Sequence, residues 1–238
     1  MELAYPQQAN GMYYLSKYAI EDIATQELKE HCPAMLNYPC AMNTERFLDD
    51  HGLIIKRLYL GIPGHEILGA TVMVDEADVL VSDTRLRPDV ISVDFGTVLI
   101  HSGLCSKKYE MRRRYTEMHE VSHWLLHQPY FARSDSSYIA CRSVERYKMP
   151  RKTEHDWLEW QADTLAAALL MPRDVFYDYA RTAIRNAGAR QGYLCEGNAA
   201  DRKIYHQVIQ DISSRFRVSK KAAQIRMIHL GLIKTKAA

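Results

Sequence analysis

Long apolar runs, paired cysteines and an export segment are all lacking from this 238-residue sequence. The longest uninterrupted apolar stretch, Leu165 to Met171, falls far short of the roughly 18 residues that a membrane-spanning helix needs. A soluble protein with no membrane partner is therefore expected. The opening residues, MELAYPQQANGMYY, show no basic segment followed by an apolar core and a small-residue cleavage site, so the expectation is a cytoplasmic protein. The five cysteines (Cys32, Cys40, Cys105, Cys141 and Cys195) are an odd number with wide spacings and no C-x-x-C pair. They fit neither a disulfide framework nor a thiolate zinc knuckle, and reduced, mostly buried thiols are expected. A composition of 47% hydrophobic and 25% charged residues excludes disorder, collagen and coiled coil for the whole chain and predicts a globular protein.

The formal net charge of +2 conceals an asymmetry. From Arg181 to Ala238 there are 12 Lys or Arg and 3 Asp or Glu, a balance of +9. The totals of 31 basic and 29 acidic residues leave 19 and 26 for the first 180 positions, or −7. Such a basic region can meet nucleic acid or an acidic partner, and it can equally be the solvated face of ordinary helices.

Along the chain, Ser16 to His31 carries apolar residues near a 3.6-residue period and stops at Pro33, which predicts an amphipathic helix. Asn43 before TERFLDDHG reads as the cap of a short helix ended by Gly52, and LIIKRLYLG then has the β-branched and aromatic content of a strand. Short strands are predicted at Ala70 to Val74, Val79 to Ser82 and Thr97 to His101, with VDEAD and RLRPD as punctuation between them. From Tyr109 the pattern turns helical: Tyr109 to His127, Thr153 to Met171, Arg173 to Asn186, Asp201 to Phe216 and Ser219 to Leu230, with Ser134 to Pro150 the longest loop candidate. A small antiparallel sheet followed by helices makes the expected fold α+β.

The chemistry lies in His119-Glu120-Val121-Ser122-His123, an H-E-x-x-H pattern inside the predicted helix RRRYTEMHEVSHWLLHQ. Four residues advance a helix by about 6 Å and turn it about 40° past a full turn, so both imidazoles can converge on one zinc ion. Glu120 lies about 100° round the helix from His119. Its carboxylate can then stand beside the metal's open position, take a proton from water there and pass it to a leaving amine. That is the chemistry of peptide hydrolysis.

A zinc hydrolase needs a third protein ligand. His127 is near in sequence, but on a continuous helix it sits about 12 Å along the axis from His119, whereas two ligands of one zinc lie about 3 to 4 Å apart. A later helix must supply the ligand, and WLEWQADTLAAALLMP offers Glu159 with Asp163 one turn on. His155 is the rival, one turn earlier. Glu159 is favoured, since Asp163 can then accept the distal N–H of a ligating imidazole and fix its tautomer.

At these residues the sequence resembles the ImmA/IrrE family of metallo-endopeptidases, which couple a helix like RYTEMHEVSHWLLH to a later one like EWQADTLAAALLMP. The preceding GTVLIH, the 36-residue step from His123 to Glu159 and the LLMP ending all look like that family. The resemblance runs from about Leu15 to Ile233 and is most specific between Tyr109 and Phe176. Ser122 stands where members usually have Gly, and Asp163 where Asn is common; neither removes a ligand. The resemblance implies a minimal thermolysin-like core with His119, His123 and Glu159 as zinc ligands and Glu120 as base, with manganese as the alternative metal in activity. It further implies an intracellular protease that cuts a helix-turn-helix repressor and so switches on the genes it silences. Residues 1–180 would then form the metallopeptidase domain and 181–238 a basic helical region.

That region supplies a competing class of function. ISSRFRVSKKAAQIRMIHLGLI holds a helix, a turn at Arg217-Val218, a Ser219 cap and a second helix bearing Lys220, Lys221, Gln224 and Arg226. It could be the DNA-reading hairpin of a regulatory protein whose metal site is vestigial or regulatory. The bland reading is a packed helical pair, for which Ala222, Ala223, Ile225, Met227, Ile228 and Leu230 supply apolar surface.

Overall fold

A central strand must bury both of its faces, and the run TVLIH does so. A computed structural model of the chain describes residues 3–62, 65–83, 85, 87–134, 138–142, 153–189 and 191–234. In it the strands β1 (Ile54–Ile62), β2 (His65–Val72), β3 (Ala77–Ser82), β4 (Pro88–Val93), β5 (Thr97–His101) and β6 (Tyr138–Arg142) form one sheet in the order β4-β3-β1-β5-β2-β6. All neighbouring pairs are antiparallel except β1 and β5, which run parallel, so the sheet is mixed at that one joint. The first four residues of β5 are buried, as expected of a strand covered on both faces. Leu60, Ala70, Val72, Ala77, Val79, Val81, Val93 and Leu99 make the sheet's apolar cluster.

The helices are α1 (Lys17–His31), α2 (Thr44–Asp50), α3 (Glu110–Phe131), α4 (Glu154–Leu170), α5 (Arg173–Asn186), α6 (Ala199–Phe216) and α7 (Lys220–His229). The chain divides into two compact units. One takes the sequence through Ile20 and again from Asn43 to Ala166, and the other takes Glu21–Met42 and the chain from Ala167 onward.

The first unit holds the sheet and α3. This helix continues a turn beyond the expected His127 and carries Pro129 inside it. Proline in a helix interior costs about 3 kcal/mol, but Phe131 in that turn is buried with Met12, Met73 and Leu158, and burial of one such ring returns about 1.5–3 kcal/mol. Tertiary packing offsets the local penalty. At the start of α4, Thr153 Oγ1 accepts from the Asp156 amide at 3.2 Å while Asp156 Oδ2 accepts from the Thr153 amide at 3.2 Å. This reciprocal cap satisfies two otherwise orphaned N–H groups.

Two strands of the large sheet, β4 and β6, are absent from the sequence expectation. Pro88 reads as punctuation, yet it is the first residue of β4, an edge strand, where a missing donor is tolerated. Tyr138–Arg142, inside the expected loop 134–150, pairs with β2 instead; the rest of that loop from 143 onward lies outside the described residues. The cysteine expectation also needs correction. Cys105 is exposed and Cys32, Cys40 and Cys195 are half-buried free thiols, and the side chain of Cys141 lies outside the described ones.

In the second unit, α6 ends at Arg217 in the left-handed region (φ 50°), and the Val218 amide returns to Ser213 O at 3.1 Å. Ser219 then caps α7 by accepting from the Ala222 amide at 3.1 Å. The turn matches the hairpin read from the sequence. Its apolar side is spent on packing, with Phe176 and Phe216 rings 5.2 Å apart and Ala223 and Met227 buried. Arg226 is buried too. Its guanidinium forms a bidentate pair with Glu21 and donates to Met171 O at 2.8 and 3.1 Å. A short parallel pair, β7 (Leu194–Cys195) and β8 (Ile233–Lys234), closes the unit. Among the described residues no helix is long and apolar enough to cross a membrane.

Candidate metal centre

The middle of α3 is buried although much of it is polar. Glu117, His119, Glu120, Ser122, His123 and His127 are each at most 2% exposed. Buried polar groups must find partners or they cost more than packing returns, so each of these side chains has to be accounted for.

Glu117 is structural: it accepts from the Thr44 hydroxyl at 2.6 Å and from Arg113, tying the start of α2 to α3. Ser122 turns back on its own helix and donates to Met118 O at 2.7 Å. The buried hydroxyl is thus satisfied within the helix itself.

His119 and His123, one turn apart, bring their Nε2 atoms to 3.0 Å from each other. From α4, Glu159 places Oε2 3.7 Å from His119 Nε2 and Oε1 3.6 Å from His123 Nε2. One ligand atom from each of the three lies within 4.8 Å of the others, a spacing that could hold a metal ion. His155 is outside this group. It is 48% exposed, with Nδ1 3.7 Å from Glu159 Oε1.

The far sides of both rings are engaged. His119 Nδ1 is 3.0 Å from Asp163 Oδ1, and Asp163 also accepts from the Tyr115 hydroxyl at 3.3 Å. His123 Nδ1 is 2.9 Å from Nδ1 of His127, which stands behind His123 and away from the three-residue group. His127 Nε2 is in turn 3.0 Å from Gln161 Oε1, and the Gln161 amide nitrogen donates to Tyr13 O at 2.9 Å. Burial pushes the His127 imidazole down to about 3. Burial, with the neighbouring rings of His119 and His127 reinforcing it, holds His123 well below the usual imidazole range. Both rings are therefore neutral at pH 7, the form in which imidazole ligates metals.

Glu120 points toward the sheet. Thr71 of β2 donates to Glu120 Oε2 at 2.8 Å, while Glu120 Oε1 is buried with no hydrogen-bond partner among the described residues. The space exists because position 69 is glycine: a Cβ there would sit 2.7 Å from both Glu120 Oε1 and Thr116 Cγ2. The β2–β6 register also shifts between Ile67 and Gly69. Burial pushes the Glu120 carboxyl up to about 8, opposed by His119 and the Thr71 hydroxyl and assisted by Glu159. A carboxyl raised in this way, within electrostatic reach of His119 and Glu159, has the property of a group built to exchange a proton near pH 7.

Gly69, Thr71, Tyr115 and Gln161 are additions to the residues expected from sequence. His127 is a further addition, and it alone left a readable trace: eight residues from His119 it is too far to share a ligand, but four residues from His123 it is that ring's neighbour on the helix. Residues 72–227 match the family model described as the IrrE N-terminal-like domain, Peptidase_M78. The match takes in every residue of the three-ligand group, Glu120, His127, Gln161 and Asp163. No curated protein matches the chain.

Proposed function

This chain belongs to the IrrE N-terminal-like peptidase family, and from that premise we propose that it is a zinc-dependent endopeptidase that cuts a helix-turn-helix transcriptional repressor. We assign His119, His123 and Glu159 as metal ligands, Glu120 as the catalytic base and Asp163 as the acceptor that orients His119.

One observation carries the assignment. The rings of His119 and His123, whose distal nitrogens are engaged by Asp163 and His127, turn their other nitrogens toward each other at 3.0 Å beside a carboxylate. Facing lone pairs repel unless a proton or a cation lies between them. Two nitrogens and one carboxylate oxygen are the protein ligand set of a catalytic zinc site that keeps its fourth position for water or substrate, and manganese is the alternative metal for such a mixed set. When bound, the ion supplies Lewis-acid polarisation to the scissile carbonyl and to the attacking water. Glu120, set in the hollow over Gly69 and held by Thr71, takes the proton from that water and returns it to the nitrogen of the leaving amine, so the proton count balances within one turnover.

The repressor is proposed from the family resemblance. Helix interiors engage their carbonyls in i to i+4 bonds, so the cut segment has to be extended or locally unfolded. Selectivity then comes from docking, for which the basic region after Arg181 is the candidate. The test is to incubate the full chain and zinc with a repressor encoded beside it. Cleavage at one exposed segment, lost on chelation and in Glu120→Gln, is the expected result. Equal cleavage by Glu120→Gln would sink the mechanism, and rapid digestion of casein would sink the docking selectivity. Binding of operator DNA without any cleavage would move the assignment to a DNA-binding regulator.

A further inference from the structure

We propose that His127 and Gln161 form a proton-ordering relay that fixes the tautomer and aim of the ligand His123. The proposal rests on the metal reading above. The order of hydrogens follows from one end. Tyr13 O is a backbone carbonyl and can only accept, so the Gln161 atom 2.9 Å away is its NH2 group. Gln161 Oε1 then faces His127 Nε2 at 3.0 Å, and a carbonyl oxygen requires that this nitrogen carry the hydrogen. A neutral ring with hydrogen on Nε2 has a lone pair on Nδ1. His123 Nδ1, 2.9 Å from it, must therefore be the donor, which leaves the His123 Nε2 lone pair directed at His119 and Glu159.

The relay is sealed from water. His123 and His127 are fully buried, Gln161 is 3% exposed and Tyr13 is 2% exposed. With no solvent to offer another partner, reversing any one hydrogen would set donor against donor or leave a buried group unpaired, which is the costly case for polar groups in a core. His119 obtains the same ordering from a single carboxylate, Asp163. Among the described residues no carboxylate stands behind His123, and its orientation is set by the His127 ring, a side-chain amide and a main-chain carbonyl in series.

His127→Asn tests the relay, because Asn Oδ1 stands where Nδ1 does and still accepts from His123. His127→Leu and Gln161→Leu remove the ordering. Zinc affinity is measured by competition with a chromophoric chelator, and the ring hydrogens by long-range 1H–15N spectra of the metal-free wild-type protein. The expected results are hydrogen on Nδ1 of His123 and on Nε2 of His127. Zinc affinity should be about 10- to 100-fold weaker in both Leu variants and close to wild type in His127→Asn. Hydrogen on His123 Nε2, or wild-type affinity in a folded His127→Leu, would overturn the relay. Should the wild type bind no zinc, the metal reading fails by itself, and the spectra still decide the hydrogen order.

Discussion

Glu120 is the residue on which burial and function meet. Its carboxyl is raised to about 8 by loss of solvent, so in the metal-free protein it is protonated when folded and ionised when unfolded between about pH 4.5 and 8. The unfolded state then binds fewer protons, and stability falls as pH rises through that window. The effect is on the order of a few kcal/mol. We expect the denaturant midpoint of the metal-free wild type to drop from pH 5 to pH 8.5 while Glu120→Gln is spared that drop; parallel curves would contradict the assigned burial cost. In the metal-loaded protein the same substitution should lower hydrolysis by about two to four orders of magnitude with zinc retained, as a lost general base does. Gly69→Ala tests the hollow from the other side. Its methyl would meet Glu120 and Thr116 at 2.7 Å, and misplacing a base by about 1 Å can cost about 100-fold in rate. Steady-state kinetics should therefore show a lowered kcat with zinc content unchanged; an unaltered kcat would mean that the carboxylate does not need this seat.

At the scale of elements, what the sequence revealed and what it hid have physical reasons. The two active helices were legible because their polar residues repeat every four positions, and Glu159 with Asp163 repeats that spacing on α4. Gly69 and Thr71 were hidden because nothing in a strand marks which residue faces a helix 50 positions later. The edge strand β4 was hidden behind Pro88, and the last turn of α3 behind Pro129, where burial of Phe131 overrides a local signal. In α7, one helix mixes two kinds of basic residue. Arg226 is 1% exposed and paired with Glu21, whereas Lys220 and Lys221 are exposed. Breaking a buried pair leaves an uncompensated charge, at a cost of about 3–5 kcal/mol. Arg226→Ala should thus lower the unfolding midpoint sharply, and Lys220→Ala and Lys221→Ala should stay within about 0.5 kcal/mol of wild type. A mild effect for Arg226→Ala would return that side chain to the set available for nucleic acid.

For the whole molecule, the charge division of −7 before Arg181 and +9 after it is a long-range property that no single contact expresses. Oppositely charged partners associate faster at low ionic strength, and the gain vanishes as salt shortens the screening length to about 8 Å. Triple reversal of the exposed Lys203, Lys220 and Lys221 to Glu should reduce kcat/KM on an acidic repressor and flatten its salt dependence, leaving kcat unchanged because none of the three is in the proposed machinery. If the reversal left kcat/KM and its salt slope as they were, the basic region would have no part in docking.

The central claim is that His119, His123 and Glu159 together hold the catalytic metal, and zinc titration of the purified chain by calorimetry tests it most directly. The account predicts about one tightly bound zinc in the wild type and in His155→Ala, and loss of tight binding in Glu159→Ala, since a three-ligand site reduced to two is no longer a zinc hydrolase site. Zinc retained by a folded Glu159→Ala but lost from His155→Ala would contradict it.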